Sequence, residues 1–332
     1  MYQAIKIPSV LNSNIILILL VFTSISYGQI RNAPLTKIDM DRAEQNYQKY
    51  CTLCHGADRE GDAADHAPSL KSKSLMSTIP LNFLASSIGF GRPNTAMAPY
   101  LVDSGGPMSM KEIFNLATWL KYKAGHETIE LSMEPIEGDL KIGSKLFAQK
   151  CSECHGSKAE GITAPALANP AFLAFATDAY IKHAIEYGRQ ETGMRAFKTQ
   201  LSQEQLNDLT AYIRSLASGW SPEPRELSPY PQPKDYVTNP QGARPDFTLK
   251  QDRYVPMEQV AKALKEKNKL IILDTRTSSE WHNAHIPGAI PIPYYISEDK
   301  VADGLPNDDT WIIAYCSCPY AASEKIIKML RK

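Results

Sequence analysis

The sequence predicts a multidomain fold: two copies of a small all-α unit, followed by one α/β domain with a parallel sheet. Three observations carry that reading. A cysteine–histidine pattern and its flanking segments occur twice, about one hundred residues apart. A proline-rich stretch then interrupts the helical periodicity. Beyond it, short apolar runs alternate with helical patterns, as strands joined by crossover helices do. At 332 residues the chain has room for two or three domains. Hydrophobic residues make up 43% and charged residues 22%, which excludes a disordered chain and a polytopic membrane protein. Lys plus Arg and Asp plus Glu each number 36, so the net charge is zero and no nucleic-acid partner is expected.

Residues 1–28 read as a secretory signal: Lys6, an apolar run from Ile15 to Phe22, then Ser26-Tyr27-Gly28 at the cleavage point. A retained anchor is the alternative, but eight apolar residues make about 12 Å of helix against a hydrocarbon core of roughly 30 Å. The expectation is an exported, periplasmic protein with no stable membrane span after cleavage.

The first repeat reads Tyr47-x-x-x-Cys51-x-x-Cys54-His55-Gly56 and the second Phe147-x-x-x-Cys151-x-x-Cys154-His155-Gly156. Each continues through an Ala-Pro-x-Leu turn, at Ala67–Leu70 and Ala164–Leu167. The segment Ile88-x-Phe90-Gly91-Arg92-x-x-Thr95-x-Met97-x-x-Tyr100 is matched by Ile185-x-Tyr187-Gly188-Arg189-x-x-Thr192-x-Met194-x-x-Phe197. A helix closes each unit, Met110 to Tyr122 and Ser202 to Leu216, the second with Leu206, Leu209 and Ile213 at helical spacing.

Cys-x-x-Cys-His is the attachment sequence of c-type haem. Cys51, Cys54, Cys151 and Cys154 supply two thioether pairs, and His55 and His155 the proximal imidazoles, so two covalent haem c groups are expected. A closed zinc site would need two such cysteine pairs far closer in sequence. Met97 and Met194 share one repeat position and are the leading sixth ligands. Met108 and Met110 compete in the first unit, and His66 and His183 are further alternatives.

These motifs resemble the class I cytochrome c family over residues 39–125 and 138–218. The resemblance implies that the carbonyls of Pro68 and Pro165 accept the Nδ1–H of the proximal histidines, which fixes their tautomer. One departure is Ala43 where the second unit has Gly143, which implies a looser helix crossing in the first.

Residues 219–250 carry Pro222, Pro224, Pro229, Pro231, Pro233, Pro240 and Pro245 and are expected to form a semi-rigid linker. A wrap anchored by Trp220, Tyr230 and Tyr236 is the alternative. In residues 251–332, Met257–Glu266 suits a helix, Leu270–Leu273 and Trp311–Tyr315 suit buried strands, and a second helix starts near Ala321. Cys316 leaves a strand just before a helix, where amides and the helix dipole favour a thiolate.

Leu273-Asp274-Thr275-Arg276, Glu280-Trp281-x-x-Ala284-His285-Ile286-Pro287-Gly288-Ala289 and Tyr315-Cys316 resemble the rhodanese family. The resemblance implies a persulfide carried on Cys316, with Asp274 and Arg276 in support, and a sulfane-sulfur donor. It also implies a further strand and helix, so the domain reads as truncated. The loop departs from the family: Pro319 offers no N–H, no arginine follows, and Cys318 is a second thiol. The expected function is electron transfer with a redox protein partner (an oxidase, a reductase or another cytochrome), linked to sulfane sulfur or thiosulfate. The alternatives are a plain shuttle to a terminal oxidase or reductase with a docking module, and an enzyme that itself oxidises thiosulfate or a persulfide.

Overall fold

Helix α1 (Lys37–Tyr50) starts where the Thr36 side chain accepts the Asp39 N–H, satisfying one of the amides a helix start leaves open. The chain turns at Cys51 into the short α2 (Thr52–His55). Then follow α3 (Lys73–Met76), α4 (Leu81–Phe90) and α5 (Met110–Ala124). The second unit repeats the order with α6 (Leu140–Lys150), α7 (Ser152–His155), α8 (Pro170–Phe175), α9 (Asp178–Tyr187) and α10 (Gln203–Ser215). Both closing helices begin with reciprocal capping boxes, Ser109 with Glu112 and Ser202 with Gln205. These are features of a computed structural model, which describes residues 35–62, 67–190, 192–222, 227–317 and 321–332. The expected signal segment lies outside the described residues, as do His66, Cys318 and Pro319.

Tyr47, Ile113, Leu116 and Leu120 fill the first unit, Phe147, Leu206, Leu209 and Ile213 the second, and one apolar cluster runs through both. The units meet on equivalent helices. Phe83 of α4 and Tyr180 of α9, which hold the same repeat position, contact edge to face at 5.2 Å. The Arg92 guanidinium sits over Phe83 at 5.0 Å and over Phe172 of the other unit at 5.7 Å. Arg189 reaches back to the Ser74 carbonyl and, at 3.3 Å, to Thr78 Oγ1.

The last domain contains α11 (Met257–Lys265), β1 (Leu270–Asp274), α12 (Ser278–Asn283), β2 (Ile290–Pro291), β3 (Trp311–Tyr315) and α13 (Ala321–Leu330). Its three strands are parallel in the order β2-β1-β3, with Leu270 opposite Trp311 and Leu273 opposite Ile290. Every residue of the central β1 is buried, because both faces are covered. Ile271 and Leu273 pack with Ile326 on one face, Leu270 and Ile272 with Leu264 on the other.

The proline-rich stretch differs from the expected spacer. Trp220 packs edge-on against Phe90 at 5.8 Å and Phe175 at 6.0 Å. Tyr230 covers Trp281 at 5.4 Å, and Thr238 N–H donates to the Leu270 carbonyl at 2.8 Å. Aromatic contacts and a backbone bond to β1 hold it against the domains as a wrap, although Tyr230 itself is 48% exposed. No helix among the described residues is long and apolar enough to cross a membrane.

Candidate functional site

The two cysteine–histidine motifs are built alike. In each, the first cysteine caps the preceding helix, and a single helical turn carries the second cysteine and the histidine. That turn puts both sulfurs and one imidazole on a common side. His55 and His155 are buried, at 8% and 7% exposure. His55 Nδ1 is 3.0 Å from the Pro68 carbonyl oxygen, and His155 Nδ1 is 2.8 Å from that of Pro165. A carbonyl only accepts, so Nδ1 carries the proton and Nε2 keeps its lone pair for a metal. Burial lowers both imidazole pKa values, which holds the neutral, ligating form.

The thiols differ in surroundings. Burial pushes Cys51 up to about 12, with the Cys54 charge adding to it, and Cys151 up to about 11. Cys154 is exposed. A buried sulfur suits an uncharged thioether. Among the described residues, no three His, Cys, Asp or Glu side chains gather into a metal-holding group.

Met97 and Met194 occupy matching loops. Arg92 N–H donates to the Met97 carbonyl at 2.7 Å, and Arg189 N–H to that of Met194 at 2.8 Å. Thr95 and Thr192 hydroxyls each accept from the methionine N–H at 3.1 Å. Both side chains are half-buried against the core. Of the alternatives, Met110 is 43% exposed, Met108 is buried at 1% exposure, and the His183 ring lies tilted against Tyr187 at 4.5 Å.

Haem c fits these residues. Beyond the thiols and imidazoles, Nη1 of Arg59 and of Arg92 are buried without a partner among the described residues, and burial pulls Arg92 down to about 10. Two unpartnered guanidinium nitrogens fit a cofactor that brings its own carboxylates. The Gly-Arg pair in both repeats was the sequence signal for Arg92; Arg59 has Ala159 as its counterpart and had none.

In the third domain Cys316 follows β3, with Sγ 3.5 Å from Ser323 Oγ on α13. Asp274 is fully buried and accepts from Arg276 Nη2 and the Tyr315 hydroxyl, each at 2.6 Å. Arg276 also donates to the Ala284 carbonyl at 2.6 Å. Asp274, Arg276 and Tyr315 therefore form a clamp joining β1, β3 and the loop after α12. These bonds hold the Arg276 guanidinium within the clamp. Arg276, His285, Ile286 and Tyr315 line a shallow open pocket beside it.

Comparison with known proteins follows this division. The model for cytochrome c oxidase, cbb3-type, subunit III matches residues 39–120 and 138–213, and that for the rhodanese-like domain matches 257–331. The cbb3-type cytochrome c oxidase subunit FixP of Bradyrhizobium sp. (strain ORS 278) is 25% identical over 177 residues, 51% of this chain and 58% of the relative. Subunit CcoP of Rhodobacter capsulatus is 22% identical over 183 residues, 52% of this chain and 61% of the relative. The chain thus spans about three-fifths of the length of these curated relatives. A chain of the Kuenenia stuttgartiensis reducing HAO-like protein complex aligns over 56% of this chain and 98% of its own, at 18% identity and a TM-score of 0.38.

Proposed function

For a chain that carries two cbb3 subunit III-type cytochrome c domains followed by a rhodanese-like domain, we propose an exported electron carrier with two covalent haem c groups, linked to sulfane-sulfur chemistry through Cys316. The observation that supports the carrier most is the duplicated geometry of His55 on Pro68 and His155 on Pro165, at 3.0 and 2.8 Å. Cys51, Cys54, Cys151 and Cys154 would hold the groups covalently, and His55, His155, Met97 and Met194 would supply the ligands to their iron. Haem c, when bound, supplies reversible one-electron chemistry. The protein's part is to fix the ligands, bury them and keep the imidazoles neutral. Denatured protein is expected to keep its colour, with two haems per chain by pyridine haemochrome; one or none refutes the reading. Met194→Ala is expected to halve the weak sulfur-to-ferric absorption band, and an unchanged band would hand the ligand role to another residue such as His183.

The sulfur link rests on Cys316 at the strand-to-helix turn. Oxidised protein mixed with thiosulfate or polysulfide is expected to show haem reduction that Cys316→Ser abolishes. Equal behaviour of the two proteins favours the second reading, a shuttle to a terminal oxidase with the last domain as a docking module. The two curated relatives are both oxidase subunits, which favours that reading.

A further inference from the structure

The rhodanese-like domain meets the first cytochrome unit at Tyr50, the residue before Cys51. Tyr294 Oη lies 2.6 Å from the Tyr50 carbonyl oxygen and 2.7 Å from Tyr100 Oη. Tyr100 Oη lies 3.2 Å from the same carbonyl. Two hydroxyl protons cannot make three hydrogen bonds. The two short contacts define a chain: Tyr100 donates to Tyr294, and Tyr294 donates to the carbonyl. Both phenols are buried, at 8% and 6% exposure. Burial raises both well above the ordinary tyrosine range, so they stay neutral donors.

The contact extends to either side. Tyr50 packs edge-on against Tyr295 at 5.0 Å. Ser279 and Ser278 donate to the carbonyls of Pro99 and Gly105 at 2.6 and 2.7 Å. The third domain thereby touches both the entry to the Cys51 motif and the segment that follows Met97.

The repeat is an internal control. The second unit has Lys150 where the first has Tyr50, and Phe197 where the first has Tyr100. The backbone is the same at both places, since Tyr100 N–H donates to Ile88 and Phe197 N–H to Ile185, each at 3.1 Å. Only the first unit has the hydroxyl and the ring that this junction uses.

We infer that Tyr294 and Tyr100 are positioning residues which seat the rhodanese-like domain on the first cytochrome unit and keep water from the Cys51 edge, so that the two haem sites differ in potential. The inference rests on the two-haem reading above. A drier site disfavours the more charged ferric form, so the contact raises the potential of the first site relative to the second.

The test uses the full-length holoprotein. Redox titration of Tyr294→Ala is expected to lower one of the two midpoint potentials and leave the other in place. Hydrogen exchange of peptides 47–54 and 97–106 is expected to quicken about tenfold, with 147–154 and 194–203 unchanged. Tyr294→Phe, which keeps the ring, is expected to give a smaller shift of the same potential and serves if the alanine variant misfolds. Two unmoved potentials, two moved together, or unchanged exchange at 47–54 overturns the inference. A haemochrome count other than two refutes the two-haem reading instead, while the exchange data still decide the contact.

Discussion

The two cytochrome units cross their first and last helices in different ways. In the second, a methyl added at Gly143 would lie 2.1 Å from the Asp208 carbonyl oxygen, so α6 and α10 touch at the backbone. The Asp139 N–H donates to Asp208 Oδ1 across that crossing at 2.7 Å. In the first, Ala43 sits at the crossing with its methyl accommodated at 1% exposure, and Asn115 Nδ2 bonds Asp39 Oδ1 at 2.9 Å. The first unit also uses Tyr47, whose hydroxyl donates to the Gly56 carbonyl at 2.6 Å, where the second has Phe147. Both crossings carry a side-chain bridge at this repeat position; the second also brings backbone against backbone, while the first holds a methyl there and adds the Tyr47 hydroxyl. A methyl in place of the glycine is thus accommodated at the first crossing while the bridge is kept.

Perturbations at matched positions break or sharpen this comparison. Gly143→Ala is expected to cost the second unit about 3 kcal/mol, because no flexible side chain can yield to the new methyl. Urea unfolding of the holoprotein measures it, and an unchanged midpoint would show that the helices separate freely. Next comes Arg214, which donates to Asp178 Oδ1 at 2.5 Å, to the Leu173 carbonyl at 2.6 Å and to the Ala176 carbonyl. Arg214→Ala takes the cation from the buried Asp178, which keeps the Ile136 N–H at 2.9 Å, and is expected to cost about 2 kcal/mol in the same assay. Its counterpart Lys121 makes one such bond, to the Ile79 carbonyl at 2.9 Å. Lys121→Ala is expected to cost about 1 kcal/mol, and parity with Arg214→Ala would erase the asymmetry. Smallest is Ala43→Gly, about 1 kcal/mol or less, since it removes one buried methyl and adds backbone freedom. A loss as large as that of Gly143→Ala would mean that the first crossing is just as tight.

Much of this architecture was legible in the sequence. The Cys-x-x-Cys-His motifs, the Pro68 and Pro165 turns and the Ser202 cap are local patterns, and local patterns are what periodicity and spacing report. β1 and β3 were also legible as short apolar runs. Two-residue β2 was not, for Ile290-Pro291 has no periodicity to detect. A wrap anchored by Trp220, Tyr230 and Tyr236 was legible beside the spacer for which the prolines argued, and only the tertiary partners of Trp220, Tyr230 and Thr238 settle the backbone's path. Tyr294 on Tyr50 and Arg92 over Phe172 join residues far apart in the chain. Such pairings leave no local trace, because each partner alone reads as an ordinary aromatic or a surface cation.

The meeting of Phe83 with Tyr180 has a consequence for valence. Each repeat offers the other the same face, as the two subunits of a symmetric dimer do, although here one chain carries both copies. A self-complementary face is saturated by a single mate. Tandem repeats that stack head to tail keep a free end and can grow into arrays; a pair closed on its own axis cannot. In this chain the face that would drive a lone unit to dimerise is consumed within the molecule.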